Sequence, residues 1–82
     1  MNEQIKQKEF CKILFKLNLC VAYPINDKII ELWSENLIRL MPETTVEELN
    51  SLIDRYLLGE MVYAPEKGLG NITANLKILR RK

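Results

Sequence analysis

Histidine is absent from the chain, which removes the side chain most used as general base, metal ligand and triad imidazole. Cysteine occurs twice, at Cys11 and Cys20. On one helix that separation is a rise of roughly 13 Å, beyond the Cα distance of about 7 Å that a disulfide spans. The two thiols are therefore expected to be reduced and to behave as small buried hydrophobes. They also fall short of the four close ligands of a zinc site. Of the three glycines, Gly68 and Gly70 flank Leu69, but neither the strand before nor the lysine after that would make a phosphate loop is present. No apolar run approaches the 18 or so residues of a membrane span, and no charged-then-apolar leader opens the chain. These gaps lead us to expect a non-enzymatic protein without a cofactor, located in the cytoplasm and not in a membrane.

What is there is helical patterning over a short length. Eighty-two residues suit one domain, residues 1–82, and a chain of this size buries only about 60% of its unfolded surface, for a net stability of roughly 5 kcal/mol. From Glu3 to about Val21, Ile5, Phe10, Ile13, Leu14, Leu17 and Val21 recur at helical spacing, with Lys6, Lys8, Lys12 and Lys16 forming a basic outer face. The apolar run through Leu19 and Cys20 suggests a helix end buried on more than one side, and Tyr23 before Pro24 stops it. Asn26 and Asp27 can cap a second helix that runs to Met41 before Pro42. Its apolar stripe is Ile30, Trp33, Leu37 and Leu40, which assigns Trp33, the only tryptophan, to scaffold. Glu31, Ser34, Glu35 and Arg39 fall mostly elsewhere. Glu31 and Glu35 are read as a solvated helix face and not as cation ligands.

Thr45 with Glu48 three residues on fits a capping box at the head of a third helix. Val46, Leu49, Leu52, Ile53, Tyr56 and Leu57 make its stripe, and Gly59 closes it. The periodicity lapses from Glu60 to Gly70, where Met61, Val62, Tyr63 and Leu69 suggest a loop packed across the domain. Asn71 is expected to cap a last short helix with Ile72, Leu76 and Leu79 on one side. The expected fold is thus all-α: a small four-helix domain, with three main helices and a short C-terminal helix after a Pro/Gly loop.

Charge totals only +1 but is unevenly placed. Residues 42–66 hold six acids and one base, whereas residues 67–82 hold five bases and no acid, so a dipolar molecule is expected. The basic end, Lys77, Arg80, Arg81 and Lys82, could contact phosphates, although no aromatic interleaving or recognition helix indicates sequence readout. A helix-turn-helix over residues 26–58 fails on its turn, which lacks glycine and leads into acids.

One family pattern fits this order of residues. Ala22-Tyr23-Pro24, then Ile29, Ile30, Glu31-Leu32-Trp33 and Leu37, an acidic helix ending Tyr56-Leu57-Leu58, and Ala64-Pro65 followed by Ile72, resembles the phage-encoded loaders and inhibitors of replicative helicases. Two positions depart from it. Ser34 stands where the family more often has an aromatic residue, and Ala64-Pro65 with a Gly-rich insertion replaces a Pro-Pro pair. The resemblance implies an all-helical adaptor that binds a DnaB-type replicative helicase and an origin-binding protein. On that basis the chain is expected to be a replication accessory protein of phage or prophage origin. Partner contacts are assigned to Tyr63, Pro65, Leu69, Arg80 and Arg81, which lie off the three main stripes, where exposed apolar and arginine side chains build binding surfaces. The alternatives are a small nucleic-acid-binding module using the basic end and a self-associating regulatory protein.

If Thr45 opens the third helix, Thr45→Ala should cost about 1 kcal/mol, read as a lowered urea midpoint at unchanged slope. An unaltered midpoint would mean that the helix starts elsewhere.

Overall fold

A computed structural model describes residues 2–81, in which four helices surround one apolar cluster. Helix α1 spans Glu3–Phe15, α2 Asp27–Leu40, α3 Val46–Leu57 and α4 Leu69–Arg80, with a 3-10 turn at Lys16–Leu19. Among the described residues there is no strand, and no helix is long and apolar enough to cross a membrane.

Local chemistry sets most of the helix ends. The Asn2 and Asn26 side chains accept from Ile5 N–H and Lys28 N–H at the heads of α1 and α2, each relieving one of the free donors that open a helix. At the head of α3 the capping box is complete: Thr45 Oγ1 accepts from Glu48 N–H at 3.1 Å and Glu48 Oε1 accepts from Thr45 N–H at 2.9 Å. Gly59 closes α3 with φ +79°. There Gly59 N–H reaches Tyr56 O and Glu60 N–H reaches Arg55 O, the paired bonds of a Schellman end.

Helix α1 is shorter than its spacing predicts. After Phe15 the chain tightens into the 3-10 turn, whose three-residue period rotates successive side chains differently from an α-helix. Leu17 stays buried, but Leu19 is 80% exposed and Cys20 is also exposed, so this end is covered on one side only. Asn18 Oδ1 then accepts from Ile25 N–H at 2.7 Å, folding Val21–Pro24 back as an exposed loop. Both thiols are free, as expected, but only Cys11 is partly buried.

The core stripe of α2 is rotated from the expected one. Ile30, Ser34, Leu37 and Met41 are buried, whereas Leu40 is 56% exposed and Trp33 sits half-buried at the edge of the cluster. Met41 leaves the helix at φ −135°, ψ 65°, which turns its side chain inward in place of Leu40. Ser34 is fully buried. Its hydroxyl donates to Ile30 O at 2.9 Å, leaving the Cys11 thiol as donor across the 3.1 Å Cys11 Sγ–Ser34 Oγ contact. Ser34 is therefore a packing feature: it and Cys11, two small side chains, face each other where α1 meets α2.

Polar side-chain contacts join the packed helices. Lys6 Nζ donates to Pro42 O and Gln7 Nε2 to Glu35, joining α1 to α2. Lys16 Nζ reaches Asn50 at 2.6 Å and Asp54 at 3.0 Å, joining the 3-10 turn to α3. Phe10, Leu14, Leu17, Ile30, Leu37, Leu49, Leu52 and Ile53 fill the space between, all fully buried. Helix α4 adds Ile72 and Leu76 from its own side of α3.

The start of α4 differs from expectation. It begins at Leu69, after Gly68 at φ +52° and with no side-chain cap, so Asn71 lies inside its first turn. The Asn71 side chain is used elsewhere: its Oδ1 accepts from Tyr56 O–H at 2.9 Å and from Ala64 N–H at 3.4 Å. Asn75 Nδ2 donates to the same Tyr56 oxygen at 2.8 Å. These bonds tie α3, the loop and α4 together around a buried tyrosine.

Replacing Ser34 by leucine should lower stability by about 1–3 kcal/mol, the usual cost of forcing volume into a filled seam. Ser34→Ala should cost less, because the hydroxyl bond is local and the volume is kept. Equal urea midpoints for Ser34→Leu and wild type would show that the α1–α2 seam has room to spare.

Candidate docking recess and the charged clamp

The five residues assigned to partner contact do not lie together. Tyr63 is half-buried, its ring tilted at 60° against Tyr56 with centroids 5.6 Å apart. Leu69 opens α4 and packs on the core. Arg80 is held in ion pairs, Arg81 is exposed as the residue capping α4, and Pro65 is exposed in the loop. Lys82, part of the expected basic end, lies outside the described residues.

Arg80 is a clamp between α4 and the head of α3. Its Nε and Nη2 donate to the two carboxylate oxygens of Glu48 at 3.0 and 3.1 Å, Nη2 also donates to Glu43 O at 2.8 Å, and Nη1 lies 2.9 Å from Glu43 Oε1. This planar, two-pronged geometry is the strong form of a carboxylate pair. The expected dipole is thus partly cancelled where the basic end of α4 meets the acidic start of α3. The Arg80 hydrogen bond, joined by the Thr45 backbone N–H, holds the Glu48 carboxyl at about 2. Lysines of the supposed basic face of α1 are also engaged: Lys6 with Pro42 O, Lys12 with Glu9 and Lys16 with Asp54.

A different surface brings several of the quoted residues together. The loop after the 3-10 turn, the first turns of α2 and the segment before α4 enclose a recess of about 360 Å³ whose walls include Tyr23, Pro24, Ile29, Trp33, Tyr63 and Pro65. No charged side chain lines it. Tyr23 is 86% exposed and Ile29 43% exposed at its mouth. One edge of Trp33 is pressed onto Gly68: a Cβ built on that glycine would lie 3.0 Å from Trp33 Cζ2. Partial burial and the charge of Glu66 raise the Tyr63 hydroxyl above its ordinary range, so it remains a protonated donor.

Of the five assigned residues, Tyr63 and Pro65 line this recess, and Leu69, Arg80 and Arg81 do not. Tyr23, Pro24, Ile29 and Trp33 were not assigned to the site. Tyr23-Pro24 read as a helix stop and Trp33 as scaffold. The available signal was Ile29, an apolar residue beside Ile30 that the core stripe does not need. Comparisons with protein-family models, with curated proteins and with solved structures find no match to this chain.

The clamp makes a pH-dependent prediction. A carboxyl whose folded pKa of about 2 lies below its ordinary value near 4.5 adds stability above the ordinary value and loses it as pH falls toward the folded one. Arg80→Met removes the main cause of the shift. Its urea midpoint should fall below that of wild type at pH 7, and the gap should close as pH drops from about 4.5 to 2. A gap that stays constant over that range would show that Glu48 is not the partner that matters.

Proposed function

We propose that this protein is a non-enzymatic replication accessory factor, of phage or prophage origin, that binds a DnaB-type replicative helicase in the cytoplasm and loads or inhibits it, with an origin-binding protein as a second partner. The observation that carries this reading is a convergence. Tyr23-Pro24, Trp33 and Pro65, which stand far apart in the chain and carry the resemblance to helicase loaders and inhibitors, border one open apolar recess.

Such a recess is suited to docking. Exposed apolar side chains gathered in one place gain from being covered by a partner, and tryptophan and tyrosine supply large contact area at little entropic cost. The nucleic-acid alternative is weakened by the same geometry, because Arg80 is committed to Glu43 and Glu48 and is not free to release counterions from phosphates.

Mixing the protein with a DnaB-type helicase at concentrations on the order of tens of micromolar should give a co-eluting complex by size exclusion, a range that captures even modest affinities. Tyr23→Ala should weaken the complex and Arg81→Ala should not. Failure of the wild-type proteins to co-elute would overturn the reading.

A further inference from the structure

Helix α2 carries a second apolar stripe that its own domain leaves uncovered. Ile29, Leu32 and Leu40 are each half-exposed. With Asn36 they fall within about 80° of the helix circumference, turned roughly 120° from the buried Ile30, Ser34 and Leu37. Leu32, Asn36 and Leu40 lie outside the recess. Scattered apolar residues are normal on a surface, but three in line on one helix mark a face that gains from being covered.

The charges beside the stripe indicate what covers it. Lys28, Glu35 and Arg39 follow one another along a single edge of α2, next to Leu32, whereas the other edge is Trp33 and carries no charge. None of the three charges is in an ion pair among the described residues. Glu35 accepts from Gln7 Nε2 at 3.3 Å, and Arg39 Nη2 donates to Asn36 Oδ1 at 3.0 Å. Lys28 and Glu35 stand two turns and about 10 Å apart along the axis, beyond the three- or four-residue spacing at which side chains of one helix pair.

A second copy of the chain supplies the missing partners. In a symmetric parallel pair of helices, the charged edge of each copy lies against the uncharged edge of the other. In an antiparallel pair the charged edges lie side by side and run in opposite directions. Lys28 of each copy then comes beside Glu35 of the other, while Ile29 of each packs on Leu32 of the other. Such a two-fold surface is self-complementary, so both ion pairs form at once.

We propose that the outer face of α2 is the seam of a homodimer, in which a second copy turned end for end sets Ile29 against Leu32 and Lys28 against Glu35. This surface is independent of the helicase reading above. Helix α2 has 14 residues, so the seam is about 21 Å long and one helix wide, short of the roughly 800 Å² a side of a stable interface. The dimer is therefore weak, with a dissociation constant on the order of 100 μM.

Sedimentation equilibrium of the whole chain, from about 10 μM to about 1 mM, should show the mass rising from one chain toward two. Leu32→Ser, Lys28→Glu and Glu35→Lys should each weaken the dimer about tenfold or more, because the symmetry applies every change twice. The three residues are exposed, so circular dichroism of each variant should match wild type. An equimolar mixture of Lys28→Glu and Glu35→Lys should recover the dimer, since each copy then meets opposite charges on the other. A wild-type chain that stays monomeric throughout would leave the face to a different protein and overturn the proposal. So would a dimer indifferent to Leu32→Ser or to either charge reversal, and so would a mixture of the two reversed variants that stays monomeric.

Discussion

The contact of Trp33 with Gly68 is the constraint on which the second half of the molecule depends. Helix α4 has no side chain to cap its first turn, so its start has to be fixed from outside. Gly68 provides a left-handed φ of +52°, which glycine adopts at no steric cost. The same missing side chain leaves room for the indole edge. One residue therefore turns the chain into α4 and sets the loop against Trp33 of α2. At the far end of α4 the Arg80 clamp repeats the arrangement, with α4 held by what it meets and not by its own sequence.

The core shows the same division between local and remote causes. Helices α2 and α3 carry their start signals within a few residues of each terminus, as Asn26 and the Thr45–Glu48 pair illustrate. Such ends are legible because the donor and acceptor are neighbours in sequence. The four-helix, all-α architecture follows from those ends and from the apolar spacing. What could not be read is whatever a distant segment decides. Ser34 looks polar by itself and is buried only because Cys11 of α1 lies across from it. Leu40 and Met41 exchange roles because the chain leaves the helix between them. Asn71 has the chemistry of a cap, but Tyr56 and Ala64 claim its oxygen.

The site was legible in a comparable measure. Lying off the apolar stripes was the criterion for exposure, and it served for Pro65, Arg80 and Arg81 and in part for Tyr63. It misplaced Leu69, which packs on the core from the first turn of α4, and it gave no sign that the exposed Arg80 is held by Glu43 and Glu48, which are remote in sequence. In the other direction, Tyr23-Pro24 was treated as punctuation between helices. A residue that stops a helix also leaves its side chain outside it. Once Asn18 folds that loop back, the exposed Tyr23 ring comes to face Trp33 and Pro65 across the recess.

Helix α4 packs mainly on α3, with Ile72 and Leu76 as its buried apolar residues and a polar clasp and an ion-pair clamp supplying the rest. Elements with few buried apolar contacts are those that open locally before the whole domain does. If α4 swings away, the tether between Asn71 and Ala64 goes with it, and with it the hold on the segment that carries Tyr63 and Pro65. The recess therefore shares part of its anchoring with α4. Amide exchange along α4 would run ahead of that in α1–α3, and an occupant bridging Tyr23 and Pro65 would slow it by closing the molecule from the opposite side.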